Sequence, residues 1–141
     1  MDAETIIQDL AAALDKADPP PPRGTVLGVL EDQVVLSAGG ADTRAFVDVL
    51  EEGFRVEAHA VVEIDGDVDE EQLRREAIEA MDEDLWPQLS ERGYASQEDD
   101  WNPELGLLTR FGVRTIDTFD QLTDEIYFLA SADLHEAYEA E

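Results

Sequence analysis

Negative charge is the property that most constrains how this chain can fold. Its 36 aspartate and glutamate residues face only 9 lysine and arginine residues, so that the formal net charge is −27. At physiological salt, where charges interact over about 8 Å, this imbalance makes the folded chain repel itself. In molar salt that distance falls to roughly 3 Å, and repulsion between neighbouring carboxylates largely disappears. The composition therefore predicts a protein adapted to concentrated salt.

The acidic residues are spread over every segment of the chain, and Lys16 is its single lysine. An acidic tail that imitates nucleic acid or binds a basic partner would instead concentrate its charge in blocks. The even distribution and the scarcity of lysine favour a halophilic origin. Because acidity is the background here, charge alone assigns no function to any single carboxylate.

Length and composition predict one domain, because 141 residues with 43% hydrophobic content suffice for a core. The absence of cysteine excludes disulfides, thiolate nucleophiles and cysteine metal sites. The first four residues lack the basic and apolar regions of a signal peptide, and no apolar run approaches the ~20 residues that cross a bilayer. We therefore expect a soluble protein without a membrane partner. Scattered arginines, apart from Arg74-Arg75, disfavour a basic nucleic-acid site.

The first half of the chain is predicted to contain one helix and four strands. Apolar residues at helical spacing indicate a helix over residues 3–17, and four prolines at 19–22 end it in an extended spacer. Within residues 25–64, the predicted strands are 25–30, 33–37, 45–50 and 54–64, with turns at Glu31-Asp32, Gly39–Asp42 and Glu51–Gly53. The last strand alternates apolar and polar side chains, which indicates one buried face.

The second half is predicted to contain one long helix and two further strands. The helix covers residues 69–91, and Pro87 is expected to kink or end it. Residues 93–103 are interpreted as a polar loop. The region 106–132 is assigned to strands at 106–117 and 124–132, because the second of these carries an almost wholly apolar run.

These elements predict an α+β fold in a single domain of residues 1–141. Its antiparallel sheet carries a projecting β-hairpin, and one short N-terminal helix and one long helix pack on one face. The sequence contains no internal repeat.

The candidate calcium motif is incomplete. Asp65, Asp67, Asp69 and Glu76 occupy positions 1, 3, 5 and 12 of a calcium loop, but position 6, which requires glycine, holds Glu70. A capped turn between a strand and a helix explains the same residues. The acidic run 98–100 is likewise interpreted as a solvated charge cluster.

The catalytic motifs are incomplete as well. His135 opens a His-Glu-Ala-Tyr-Glu segment that lacks the second histidine of a zinc-binding helix, and only His59 is left to assist it. No serine lies in a nucleophile elbow, and no glycine pair belongs to a phosphate loop. We therefore expect no enzyme activity, no cofactor and no bound metal.

Three features favour assembly as the function. The strand 54–64 is longer than a domain of this size needs, and the segment 126–130 is almost wholly apolar. Tyr94 and Trp101 lie in the predicted loop, and aromatic residues are enriched at interfaces. The same features also suit the core of a monomer, so both interpretations stay open at this point.

The order of elements resembles that of the tail-terminator proteins of long-tailed, siphovirus-type phages. The stretch GFRVEAHAVVEIDGDVDEEQLRREAIEAMDEDLWPQL, from Gly53 to Leu89, is similar to the family's strand, acidic cap, long helix and aromatic-proline sequence. The segment 130–134 resembles the family's last strand. Residues 19–38 are more compact than the family pattern, and 96–123 have no clear counterpart.

The resemblance implies a structural virion protein, and the acidic composition adds the expectation that it is produced in the cytoplasm of a halophilic archaeal host. It implies a hexameric ring of identical subunits that caps the tail tube, stops its polymerisation and joins it to the head-completion or connector protein. DNA would only pass through the lumen, where carboxylates repel its phosphates. No catalytic residue is implied.

The predicted subunit contacts are the turn between the second pair of strands and two arginines that suit ion pairs across a ring: Glu51, Glu52, Gly53, Phe54, Arg55, Arg110 and Arg114. Two other interpretations remain. One is a different neck protein, an adaptor or a stopper. The other is a non-viral intracellular halophile domain that forms small closed oligomers and binds a small ligand.

Overall fold

The computed structural model describes residues 2–38 and 43–140, so the predicted turn Gly39–Asp42 lies outside the described residues. The helices are α1 (Ala3–Asp15), α2 (Glu70–Ala80), a π-helical turn (Met81–Leu85), α3 (Trp86–Ser90) and α4 (Phe119–Ser131). The strands are β1 (Thr25–Leu30), β2 (Gln33–Ala38), β3 (Thr43–Val49), β4 (Phe54–Asp65), β5 (Ala95–Asn102), β6 (Leu107–Ile116) and β7 (His135–Glu139).

The strands form one sheet in the order β1-β2-β3-β4-β6-β5, and β7 pairs with β4. The pairs β1–β2, β2–β3, β3–β4 and β5–β6 are antiparallel, whereas β7 runs parallel to β4. The predicted α+β class is confirmed. Within the described residues, no helix is long and apolar enough to cross a membrane.

The chain divides into two compact units, each built from separate stretches of sequence. The first comprises Met1–Ala58 and Arg114–Ala132, and the second His59–Val113 and Asp133–Glu141. Strands β4 and β6 contribute residues to both units.

In the first unit, α1 packs against β1, β2 and α4, and α4 packs against β2 and β3. Asp2 caps α1 by accepting a hydrogen bond from the Thr5 backbone at 2.9 Å. The predicted β1–β2 hairpin is confirmed, and Glu31 and Asp32 in its turn have φ of 49° and 66°. Positive φ at both positions is what a two-residue turn needs to match strand twist. The fully buried core side chains include Ile6, Leu10, Leu36, Leu122, Ile126 and Leu129.

The second unit contains the long predicted helix. The structure confirms it over residues 70–90, as α2, a π-helical turn and α3 in succession. Pro87 does not end this helix, because a π-helical turn precedes it. Within that turn, the Trp86 N–H donates to the carbonyl of Met81, five residues earlier. The wider turn accommodates a residue that has no N–H to donate. The apolar face is buried at Ala77, Met81, Leu85 and Leu89.

The interpretation of residues 93–103 as a loop is wrong, because residues 95–102 form β5. This strand pairs with β6 in antiparallel register, with Asp100 opposite Thr109 and Trp101 opposite Leu108. Residues 95–100 are exposed on both faces. The apolar alternation that identifies a half-buried strand is therefore missing from the sequence.

The strand predicted at 106–117 is confirmed as β6. The strand predicted at 124–132 is wrong, because nearly all of that segment belongs to α4. Burial of Leu122, Ile126 and Leu129 follows helical spacing. A capping box precedes them: the Thr118 hydroxyl accepts from the Gln121 N–H at 3.2 Å, and the Gln121 side chain reaches back to the Thr118 N–H. The segment 130–134 is correspondingly no strand, since β7 begins at His135.

Replacement of Thr118 by alanine is expected to destabilise the protein by about 1 kcal/mol, because the first turn of α4 loses its cap. The measurement is urea unfolding in about 2 M KCl, a concentration at which the surface charges are screened. Asp124→Ala, in an exposed position of the same helix, is the control and should leave the midpoint nearly unchanged. Equal stabilities of the two variants would contradict the role of the cap.

Candidate functional site

Strand β1 of the β1–β2 hairpin exposes an unusual amount of apolar surface. Among the described residues, three of the five exposed large hydrophobic side chains lie in β1: Val26 at 58%, Val29 at 43% and Leu30 at 58%. Val26 and Leu30 share the outer face with Gly28, because alternate residues of a strand point the same way. The opposite face holds Leu27, whose partner Leu36 is fully buried.

Gly28 makes a gap in this apolar face that the chain itself does not require. It is not among the glycines with positive φ, and a Cβ added to it would meet nothing within 4 Å. A glycine inside a strand costs stability, and it frequently marks a place where another backbone or a ligand approaches closely. We call the depression between Val26 and Leu30, with Gly28 as its floor, the Gly28 notch.

Strand β1 also ends the strand order, so no strand pairs with its outer edge among the described residues. Residues 25–30 contain no charged side chain and no proline, the devices by which proteins protect exposed edges. Strand β5, at the other end of the order, carries Glu98, Asp99 and Asp100. The edge of β1 therefore combines free backbone hydrogen-bonding groups with exposed apolar side chains, which is the chemistry of a protein contact.

The turn predicted as a subunit contact is held against its own unit. Gly53 has φ of +102°, and a Cβ there would overlap the carbonyl oxygen of Ile116. Phe54 is only 7% exposed and belongs to the core, whereas Arg55 pairs with Asp48 at 3.4 Å. Glu51 and Glu52 are the exposed members of the set. Their contact with another subunit stays a prediction.

Arg110, in the second unit, is held by two carboxylates and one aromatic ring. Its Nε and Nη2 donate to the two carboxylate oxygens of Asp99 at 2.7 and 3.0 Å, and its Nη1 donates to Asp82 at 2.6 Å. The guanidinium carbon lies 5.5 Å from the ring centre of Trp86. The hydrogen bonds that Arg110 donates to Asp99, and then the one to Asp82, raise the pKa of Arg110 despite its burial. This cluster joins β5 and β6 to the π-helical turn.

Arg114, in the first unit, pairs with Glu125 of α4 at 2.8 Å, and Glu125 is only 1% exposed. Such a buried carboxylate is stable only with a partner. The ring contacts predicted for Arg110 and Arg114 stay predictions, but both guanidinium groups already bind carboxylates of their own chain.

The residues singled out for metal chemistry have other partners. His59 packs edge-to-face against Phe111 at 4.7 Å, and His135 Nε2 lies 3.2 Å from Glu63. The carboxylate of Asp69 accepts from the Gln72 N–H at 2.8 Å and so caps α2. In the part of the chain that the structure describes, no three histidine or acidic side chains are grouped to hold a metal ion.

A cleft of about 560 Å³ opens in the second unit beside the turn between β5 and β6. Its lining includes the apolar side chains of Leu73 and Leu107 and the ring of Tyr138. Burial, followed by hydrogen bonds to Asp84 and Glu136, raises the pKa of the Tyr138 phenol. In this arrangement the phenol donates to the two carboxylates.

Comparison with known proteins identifies no relative: no family model, no curated protein and no solved structure matches the chain.

Replacement of Arg110 by methionine is expected to cost about 2 kcal/mol, because Asp82 and Asp99 would then face one another without a cation. Arg75→Met, in an exposed position of α2, is the matched control and should change stability by less than about 0.5 kcal/mol. Urea unfolding at high KCl compares the two variants. A loss no larger than that of Arg75→Met would show that the Arg110 cluster does not stabilise the second unit.

Proposed function

We propose that this chain is a structural virion protein that forms a homo-oligomeric ring and ends the tail tube of a virus of a halophilic archaeon. The observation that carries the assembly function is the apolar edge hairpin, with Val26 and Leu30 each 58% exposed in a chain of net charge −27. Water-exposed apolar patches with an open strand edge are characteristic of protein–protein contacts. A contact based on apolar burial also suits molar salt, which weakens surface ion pairs but leaves hydrophobic association intact.

The terminator role itself rests on the resemblance of Gly53 to Leu89 to the tail-terminator family. In this role a hexamer caps the last ring of tube protein, stops polymerisation and presents its other face to the head-completion or connector protein. The DNA passes through the lumen without base recognition, and the surplus of carboxylates keeps its phosphates from adhering. The ring needs no catalytic residue and no cofactor.

A different neck ring, an adaptor or a stopper, would use the same apolar contact. A non-viral binding domain would instead cover the hairpin in a small closed oligomer, which makes the oligomeric state the discriminating observable.

Light scattering in about 2 M KCl, which screens the carboxylates, is expected to give about six times the chain mass of 15.6 kDa. Negative-stain images of the same peak should show six-fold rings. A monomer or a compact dimer would contradict the proposed ring and favour a binding domain.

The contribution of the apolar edge is tested by placing one negative charge on each edge strand. Leu30→Asp is expected to dissociate the ring, because the contact would then bury an unpaired carboxylate. Ser96→Asp, on the exposed strand β5, adds the same charge and should leave the mass unchanged. Circular dichroism of both variants confirms that the subunits remain folded. Intact rings of Leu30→Asp would exclude this hairpin from the contact.

A further inference from the structure

We propose that the Gly28 notch of one copy binds the turn around Leu105 of the next copy. The inference rests on the proposed ring and specifies how its subunits join. A head-to-tail contact uses two different surfaces, and such contacts close into rings when the rotation between copies permits. The structure supplies both surfaces, one in each unit of the chain.

The first surface is the notch itself. Val26 and Leu30 are its walls, and Gly28 is a floor on which the subunit places no atom of its own. Filling this space with an apolar side chain from outside would remove all three residues from water. The glycine is then explained by the partner, whereas neither its φ nor its surroundings explain it within one subunit.

The second surface is a rigid turn that presents the most exposed large apolar side chain among the described residues. Leu105 is 69% exposed. The Asn102 side-chain oxygen accepts from the backbone N–H groups of Glu104 and Leu105 at 3.1 and 3.3 Å. Because these hydrogen bonds already order the turn, it loses little conformational entropy when it binds a partner.

Gly106 fixes the other side of the same turn. It has φ of +62°, and a Cβ there would overlap the carbonyl oxygen of Ile64. In return, the Ile64 N–H donates to the Gly106 carbonyl at 2.7 Å. The turn is therefore tied to β4. Its tip residue, Leu105, nevertheless remains largely exposed in the subunit. A rigidly held, exposed leucine has the properties of an interface anchor.

A cleft and one pair of opposite charges lie beside the two surfaces. The cleft of about 560 Å³ beside Leu105 has an apolar lining that includes Leu73 and Leu107, and it offers space for a side chain of β1. Glu104, which is exposed, also lines this cleft and precedes Leu105 in the chain. Arg23, just before β1, is exposed and has no ion-pair partner among the described residues. A pair between Arg23 and Glu104 of the next copy would orient the contact more than strengthen it in molar salt.

Cysteine pairing tests the contact directly, because the natural chain contains no cysteine. The variant Val26→Cys/Glu104→Cys retains Gly28, Leu30 and Leu105. Mild oxidation in about 2 M KCl, again for screening, is expected to give a ladder of covalent oligomers up to the size of the ring. Each single variant is the control and should stay monomeric on a denaturing gel.

Two results would overturn the contact and can be told apart from failure of the proposed ring. A ring by light scattering without cross-linking of the double variant excludes this contact and leaves the ring function standing. Cross-linked dimers of Val26→Cys alone show that β1 pairs with β1 of a second copy. The absence of any ring removes both proposals together.

Filling the notch gives an independent test. Gly28→Val should fold normally, because the added side chain meets open space in its own subunit, but it should raise the protein concentration needed for ring formation at least tenfold. Combination with Leu105→Ala should restore part of the loss, because the smaller tip again fits. Ser96→Val, on β5, is the control. Unchanged association of Gly28→Val would exclude the notch.

Discussion

Burial of one face of β4 is the constraint on which the rest of the structure depends. Every apolar position of its alternation, from Phe54 to Ile64, is buried, so a shift of register by one residue would expose the whole set. The strand pairs with β3 over Phe54–Ala58 and with β7 over Val61–Asp65. Phe54–Ala58 belong to the first compact unit and His59–Asp65 to the second, so each unit is built on part of this strand. The Leu105 turn is tied to the strand through Ile64.

The distribution of charge explains why so few basic residues suffice. Carboxylates at exposed positions need only water and salt, whereas Glu125 is buried and requires Arg114. Arg110 similarly binds Asp82 and Asp99 and covers Trp86. Arginine supplies several donors from one planar group, which lysine cannot do. The chain thus uses these two arginines to join its own elements.

Local patterns in the sequence predicted those elements in which buried and exposed residues alternate regularly, every second residue in a strand or every three to four residues in a helix. Alternation predicted β4, the Glu31-Asp32 turn predicted the first hairpin, and helical spacing predicted residues 70–90. The same reasoning failed for α4, because the run 126–130 is apolar on all sides and fits a buried strand as well as a buried helix. It failed for β5, because that strand is polar on both faces and is defined by its pairing with β6.

The candidate contact surface shows the same division. The sequence by itself determined the acidity, the absence of cysteine, the α+β class and the apolar composition of residues 25–30, since each follows from residue type and local spacing. Only the tertiary structure decided that Gly28 faces open space, that Leu105 stands out on a fixed turn, and that Arg110 and Arg114 bind their own carboxylates. The physical reason is that exposure and pairing depend on residues far apart in the chain, which no local period records.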